Sequence, residues 1–193
     1  MREIVLVRHG QTEWSASGRH TSFTDLDLTP EGERQSLHLG QLLAGRAFAA
    51  VLSSPLQRAL HTAELIGLSV TATDDDLLEW NYGAYESRLT TDIHKERPEW
   101  QLFRDGCPGG ESPNEVGVRA DHVVKRVRAV KDDVLLFSSG HFLRVFAARW
   151  LGLEAAIGRY FLLSTASLSA VGYEHNLSQP VIRLWDDTRH VES

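Results

Sequence analysis

Three short apolar runs, Ile4-Val5-Leu6-Val7, Ala50-Val51-Leu52-Ser53 and Val134-Leu135-Leu136-Phe137, each stop abruptly at a polar turn. Runs of four residues are too short for buried helices and fit strands covered on both faces, the pattern of a parallel sheet. Helical signals fill the gaps. Thr29 is placed to cap a helix whose first turn holds Pro30, Glu31 and Glu33, with Leu37, Leu39, Leu42 and Leu43 following and Phe48 beyond. Leu56 to Ile66 forms a second helix. Ser112 to Val130 forms a third, with Val116, Ala120, Val123, Val124 and Val127 on one face. Phe142 to Leu151 resumes the helical spacing. Ser69 to Thr73 reads as a further strand, and Ala166 to Tyr173 with Val181 to Trp185 as a closing hairpin. This alternation predicts one domain over residues 1–193. It is an α/β fold, a three-layer α/β/α sandwich whose mostly parallel central sheet carries an antiparallel edge strand. The run at Val134 is the most apolar and is expected at the centre. The irregular stretch Leu77 to Gly110, rich in aromatic residues, is expected as a flap over a pocket or as packing on the sheet's rim.

The composition removes several function classes. A net charge of -6 argues against nucleic acid as a partner. No apolar stretch reaches the length of a membrane span, and no signal peptide is recognisable, so no membrane partner is expected. A single cysteine, Cys107, allows no internal disulfide and fits a reducing cytoplasm; it reads as an inert loop thiol. The nine histidines lack His-Glu-x-x-His or Cys-x-x-Cys spacing, so neither a metal nor another cofactor is expected.

Parallel sheets bind ligands beyond the carboxyl ends of their strands. The first strand ends in Arg8, His9 and Gly10, the second leads to Arg58, and the one at Val134 leads to Ser139, Gly140 and His141. Two guanidinium groups and helix-start amides are suited to a phosphoryl group, and a neutral imidazole held in one tautomer is suited to attack its phosphorus. Glu79 is the candidate proton donor, since an apolar neighbour such as Trp80 favours the protonated form a general acid needs. Each residue alone has a blander reading. Arg58 could be a surface cation, Glu79 solvated, Trp80, Tyr82 and Tyr85 core packing, and Arg104 a partner of Asp105.

In combination, Arg8-His9-Gly10-Gln11-Thr12-Glu13-Trp14, Thr24-Asp25-Leu26 with Leu28-Thr29-Pro30, Ser53 to Arg58, Glu79 to Gly83 and Gly140 to Arg144 resemble the histidine phosphatase superfamily. They span almost the whole chain in that family's order. The segments Glu79 to Glu86, Phe103 to Cys107 and Gly110 to Ser112 are most similar to its small acid and sugar-phosphate phosphatases, including sedoheptulose-bisphosphatase-like enzymes. The resemblance implies a phosphatase acting on a small-molecule phosphate ester through a phosphohistidine on His9. Arg8, Arg58, Ser139 and His141 would surround the phosphate, and Glu79 would act as acid and then base. It implies substrate contacts at Gln11, Thr12, Ser15, Thr21, Ser22, Trp80, Tyr82, Arg104 and Arg144, the last gripping the distal end. One position departs from the family. Its second catalytic histidine falls on Ser139, which predicts weakened turnover, with His141 as a candidate substitute. A phosphoglycerate mutase and a non-catalytic phosphate-binding module stay open as alternatives, as do a monomer and a homodimer.

Overall fold

The computed structural model describes residues 2–191. Its sheet has six strands in the order β3-β2-β4-β1-β5-β6. These are β1 (Ile4–Arg8), β2 (Ala50–Ser53), β3 (Ala72–Thr73), β4 (Val134–Ser138), β5 (Leu168–Tyr173) and β6 (Pro180–Asp187). The first four run parallel, while β5 pairs antiparallel with both β1 and β6, so β5 alone runs against the other five and forms the antiparallel edge with β6. The apolar β4 is internal, between β2 and β1, as its composition predicts.

Alternation along the strands builds the layers, because successive side chains point to opposite faces. Ile4, Leu6, Leu52, Val134 and Leu136 turn to one face and join Val116, Val123, Val127, Phe142 and Phe146 from α6 (Pro113–Ala129) and α7 (Gly140–Trp150). Val5, Val7, Val51, Leu135 and Phe137 turn to the other and join Leu39, Leu43, Ala59 and Ala63 from α2 (Pro30–Leu43) and α3 (Gln57–Ile66). Thr29 and Ser112 cap α2 and α6 with their side chains, and each helix has a proline in its first turn.

Two expectations need correction. The strand foreseen at Ser69 to Thr73 shrinks to Ala72–Thr73, both exposed, because as the sheet's edge it has one partner, β2. On α2, Leu37 and Leu42 are exposed, and the helix buries Gly32, Gln35, Ser36, Leu39 and Leu43 instead. The reason is a close backbone approach. A Cβ on Gly32 would stand 2.2 Å from the Gln11 carbonyl oxygen, and one on Gly10 would stand 2.6 Å from the Gly32 carbonyl oxygen. The helix seats its small residues where it meets the loop that follows β1, and Leu37 and Leu42 on another face look outward.

The stretch after β3 folds into turns at Asp75–Leu77 and Gly83–Tyr85, α4 (Thr90–Glu96) and α5 (Leu102–Asp105), with α1 (Glu13–Ser17) opposite. Trp80, Tyr82, Tyr85, Trp100 and Phe103 are all buried there, so this stretch is held by aromatic packing at the rim. Among the described residues no helix is long and apolar enough to cross a membrane.

Candidate active site

Parallel register sets the site. Arg8 lies opposite Ser138, and Ser53 opposite Phe137, so the carboxyl ends of β1, β2 and β4 finish side by side. A cavity of about 240 Å3 opens there, lined by Arg8, His9, Thr12, Ser15, Gly18, Arg19, His20, Thr21, Glu79, Tyr82, Thr90, Gly140, His141, Arg144 and Leu163.

His9 is buried, its backbone amide donates to the Ser138 carbonyl, and its own carbonyl accepts from the Ala166 amide. Its Nδ1 lies 2.8 Å from the Gly10 carbonyl oxygen, an acceptor that requires a proton on Nδ1 and leaves the Nε2 lone pair bare. Burial, followed by the charges of Arg58 and Arg8, holds this imidazole well below the usual histidine pKa, so it is neutral at neutral pH.

The two arginines beside it, Arg58 buried and Arg8 half-buried, are incompletely bonded. Arg8 donates through Nη1 to the Leu163 carbonyl, and Arg58 through Nη1 and Nη2 to the carbonyls of Thr24 (3.1 Å) and Ser22 (2.9 Å). In both residues Nε is buried without a protein partner. A buried unpaired donor costs about 1–3 kcal/mol, so neither guanidinium is fully satisfied by the protein around it.

Glu79 occupies the start of α7. Its Oε1 accepts from the amides of Trp80 (2.8 Å) and Phe142 (2.8 Å), and its Oε2 from the amide of His141 (2.9 Å). Ser139 is the formal cap residue of that helix but makes no side-chain cap bond, so a carboxylate from another segment satisfies the free amides. The environment of Glu79 is therefore a set of amides and not the apolar wall expected from Trp80. The Trp80 indole turns into the core, edge-on to Phe103, and donates to the Glu111 carbonyl.

His141 faces the cavity, its Nδ1 2.6 Å from the Tyr82 hydroxyl oxygen and 3.9 Å from Glu79 Oε2. Burial and the charge of Arg144 push its pKa well below the usual value, and burial raises that of Tyr82 well above 10. The His20 ring lies 4.7 Å from that of Tyr82, tilted by 43°, and its pKa is held down to about 4, chiefly by burial. Arg144 lies over the Phe103 ring and donates to the carbonyls of Gly158 and Arg159.

Of the residues singled out in the sequence, Arg8, His9, Thr12, Ser15, Thr21, Glu79, Tyr82, His141 and Arg144 line the cavity, and Arg58 supports it from behind. Five stand elsewhere. Gln11 accepts from the Thr29 hydroxyl, Ser22 is buried behind the wall, and Trp80 is core. Arg104 is exposed and paired with Asp105, the plainer of its two readings. Ser139 is buried and is not among the residues that line the cavity. Sequence reasoning missed Arg19, His20, Thr90 and Leu163. Only Arg19 and His20 left a trace, directly preceding Thr21. Burial raises the Cys107 thiol to about 12, consistent with an inert side chain. Among the described residues no cluster of three or more His, Cys, Asp or Glu side chains could hold a metal.

Comparison with known proteins bears on this arrangement. The profile of the histidine phosphatase superfamily (branch 1) matches residues 4–188. An acid phosphatase of Mycobacterium tuberculosis is 41% identical over 180 residues, covering 91% of this chain and 89% of its own. A sedoheptulose 1,7-bisphosphatase of Saccharomyces cerevisiae is 38% identical over 183 residues, covering 77% and 67%. The solved structure of the Mycobacterium tuberculosis Rv3214 product superposes with a TM-score of 0.92 at 39% identity, covering 96% of this chain and 97% of that one. A strand-end histidine under the charge of two arginines, and a profile match over nearly the whole length, lead to one assignment: the chain belongs to the histidine phosphatase superfamily, branch 1.

Proposed function

We propose that this chain is a single-domain phosphatase that hydrolyses a small phosphorylated metabolite of the sugar-phosphate class through a phosphohistidine. The observation that carries the reading is His9, neutral, fixed through Nδ1 to the Gly10 carbonyl and standing in the field of the Arg8 and Arg58 guanidinium groups. Nε2 of His9 forms a bond to phosphorus as the phosphorus–oxygen bond to the leaving alcohol breaks. The arginines take up the negative charge on the equatorial oxygens. Glu79 gives its proton to the leaving oxygen, and the three amides around it stabilise the carboxylate that results. The carboxylate then takes a proton from water, the water oxygen attacks phosphorus, and the phosphorus–nitrogen bond breaks to release inorganic phosphate and restore both groups.

Ser139 leaves this cradle one imidazole short, and His141 supplies part of what is missing. The Tyr82 hydroxyl keeps its proton and donates it to Nδ1, which leaves the hydrogen of His141 on Nε2 as a neutral donor. Loss of one charge-stabilising donor is worth about 10² to 10³ in rate, so turnover is reduced and not abolished. The substrate class is supported by the hydroxyls of Thr12, Ser15, Thr21, Tyr82 and Thr90 and the cations Arg19 and Arg144 along the wall. A cavity of about 240 Å3, below the usual ligand-site range of roughly 300 Å3 upward, favours a compact ester.

The test is a phosphate-release screen across sugar phosphates with the native chain, His9→Ala and Ser139→His. Release by the native chain, none by His9→Ala together with loss of acid-labile phosphate labelling, and faster release by Ser139→His are expected. Labelling that survives His9→Ala overturns the nucleophile, and no gain from Ser139→His overturns the account of impairment.

A further inference from the structure

The wall segment Arg19 to Asp25 has no helix and no ladder strand, yet it brings Arg19, His20 and Thr21 into the cavity. Backbone groups in such a segment must find partners elsewhere. The partners here are two side chains of opposite charge. The amides of Ser22 and Thr24 donate to the Glu86 carboxylate, Ser22 at 2.9 Å to each oxygen and Thr24 at 3.2 Å to Oε1. The carbonyls of the same two residues accept from Arg58, at 2.9 and 3.1 Å. One short stretch of chain is thus gripped from its N–H groups by an acid and from its C=O groups by a base. Glu86 itself does not line the cavity.

The turn that presents Glu86 is unusual. Ser87 has a φ of 65°, a left-handed conformation that side chains other than glycine's adopt at a cost of about 1 kcal/mol or more. In that conformation the Ser87 amide donates to the His20 carbonyl at 2.8 Å, its carbonyl accepts from Arg19, and the His20 amide donates to the Arg88 carbonyl at 3.0 Å. The strained turn and the carboxylate act on the same segment. Its geometry in turn fixes where Arg58 stands, since both of that residue's terminal nitrogens are tied to it.

We infer that Glu86 is a positioning residue that locks the Arg19 to Asp25 segment and, through its carbonyls, holds the Arg58 guanidinium against the phosphate site. This rests on the phosphatase reading for the role of Arg58, but the binding of orthophosphate and the order of the segment can be measured without turnover. Displacing a phosphate-gripping group by about 1 Å costs on the order of 100-fold. Glu86→Ala therefore weakens orthophosphate binding and lowers kcat/KM by roughly 10- to 100-fold. It also accelerates hydrogen exchange at the Ser22 and Thr24 amides. Glu86→Gln keeps an Oε1 acceptor for both amides and recovers most of that loss, which a nonspecific effect of packing would not produce. Glu96→Ala removes an exposed carboxylate, paired with Arg88, from the neighbouring helix and leaves both readouts unchanged.

The experiment measures orthophosphate affinity by calorimetry, amide exchange by mass spectrometry and p-nitrophenyl phosphate hydrolysis on the native chain and these three variants. Binding and exchange in Glu86→Ala within twofold of the native chain overturn the inference. So does a Glu86→Gln variant as impaired as Glu86→Ala, or a Glu96→Ala variant that loses as much. If the native chain hydrolyses no ester, the phosphatase reading fails, while the affinity and exchange data still decide the role of Glu86.

Discussion

Gly140→Ala isolates the contribution of Arg8. Gly140 is the first residue of α7 and has a φ that alanine accepts, so the backbone raises no objection. The side chain does. A Cβ at this position would lie 3.1 Å from Cζ, 3.2 Å from Nε and 3.3 Å from Nη1 of Arg8, tighter than ordinary contact. The guanidinium must withdraw by a few tenths of an ångström, although Nη1 is bound to the Leu163 carbonyl and the group is buried. If a displacement near 1 Å costs about 100-fold, this smaller one lowers kcat/KM by about tenfold, equivalent to about 1.4 kcal/mol of transition-state stabilisation. Stability should hardly change, because restricting the unfolded chain contributes about 0.4–1 kcal/mol in favour of alanine and offsets the tight contact. Steady-state hydrolysis of p-nitrophenyl phosphate and a thermal melt read the two effects separately. Activity within twofold of the native chain would refute the claim that Arg8 contacts the transferred phosphoryl group. A collapse of melting temperature together with activity would refute the claim that the effect is local.

The remaining predictions concern protons. Because burial and two arginines keep His9 unprotonated, kcat/KM should stay level as pH falls through 6.5, with its acid limb displaced to lower pH; a limb centred near 6.5 contradicts that account. Stability should move differently. His9, His20, His141 and His190 all have lowered values in the fold, whereas unfolded imidazoles bind protons below about 6.5. Below that pH the unfolded chain takes up more protons, so the urea midpoint should fall as pH drops from 7 to 5. Glu79→Gln should lower kcat/KM on an alkyl phosphate by about 10² to 10⁴, a quantity that reports the first phosphoryl transfer and leaves out the later step in which Glu79 is the base. It should cost less on p-nitrophenyl phosphate, whose leaving group departs without a proton. An equal loss on both esters would remove Glu79 from the role of acid.

The layered fold was legible because β1, β2 and β4 are apolar on both faces and α6 carries its valines on one stripe. Both are local patterns that burial then fulfils. Leu37 and Leu42 misled for the opposite reason. The packing of α2 is decided by Gly10 and Gly32 bringing two backbones together, which apolar spacing does not encode. Within the site, Arg8, His9 and Glu79 could be read because each stands at the end of an element in a recognisable stretch. His20, Thr90 and Leu163 could not. They reach the cavity from loops and a helix start whose positions depend on bonds between distant segments, such as Glu86 to Ser22 and Arg8 to Leu163. Trp80 shows the converse, a residue within a recognisable motif whose indole is needed by the core.

Vanadate offers the most direct measurement, as a tetrahedral phosphate analogue that expands its coordination when an in-line nucleophile is available. A crystal structure of this chain with vanadate should show vanadium bonded to Nε2 of His9, with vanadate oxygens within hydrogen-bond distance of the guanidinium groups of both Arg8 and Arg58. Vanadate bound away from His9, or held at His9 with Arg58 turned from it, would contradict the claim that these three groups meet around one anion.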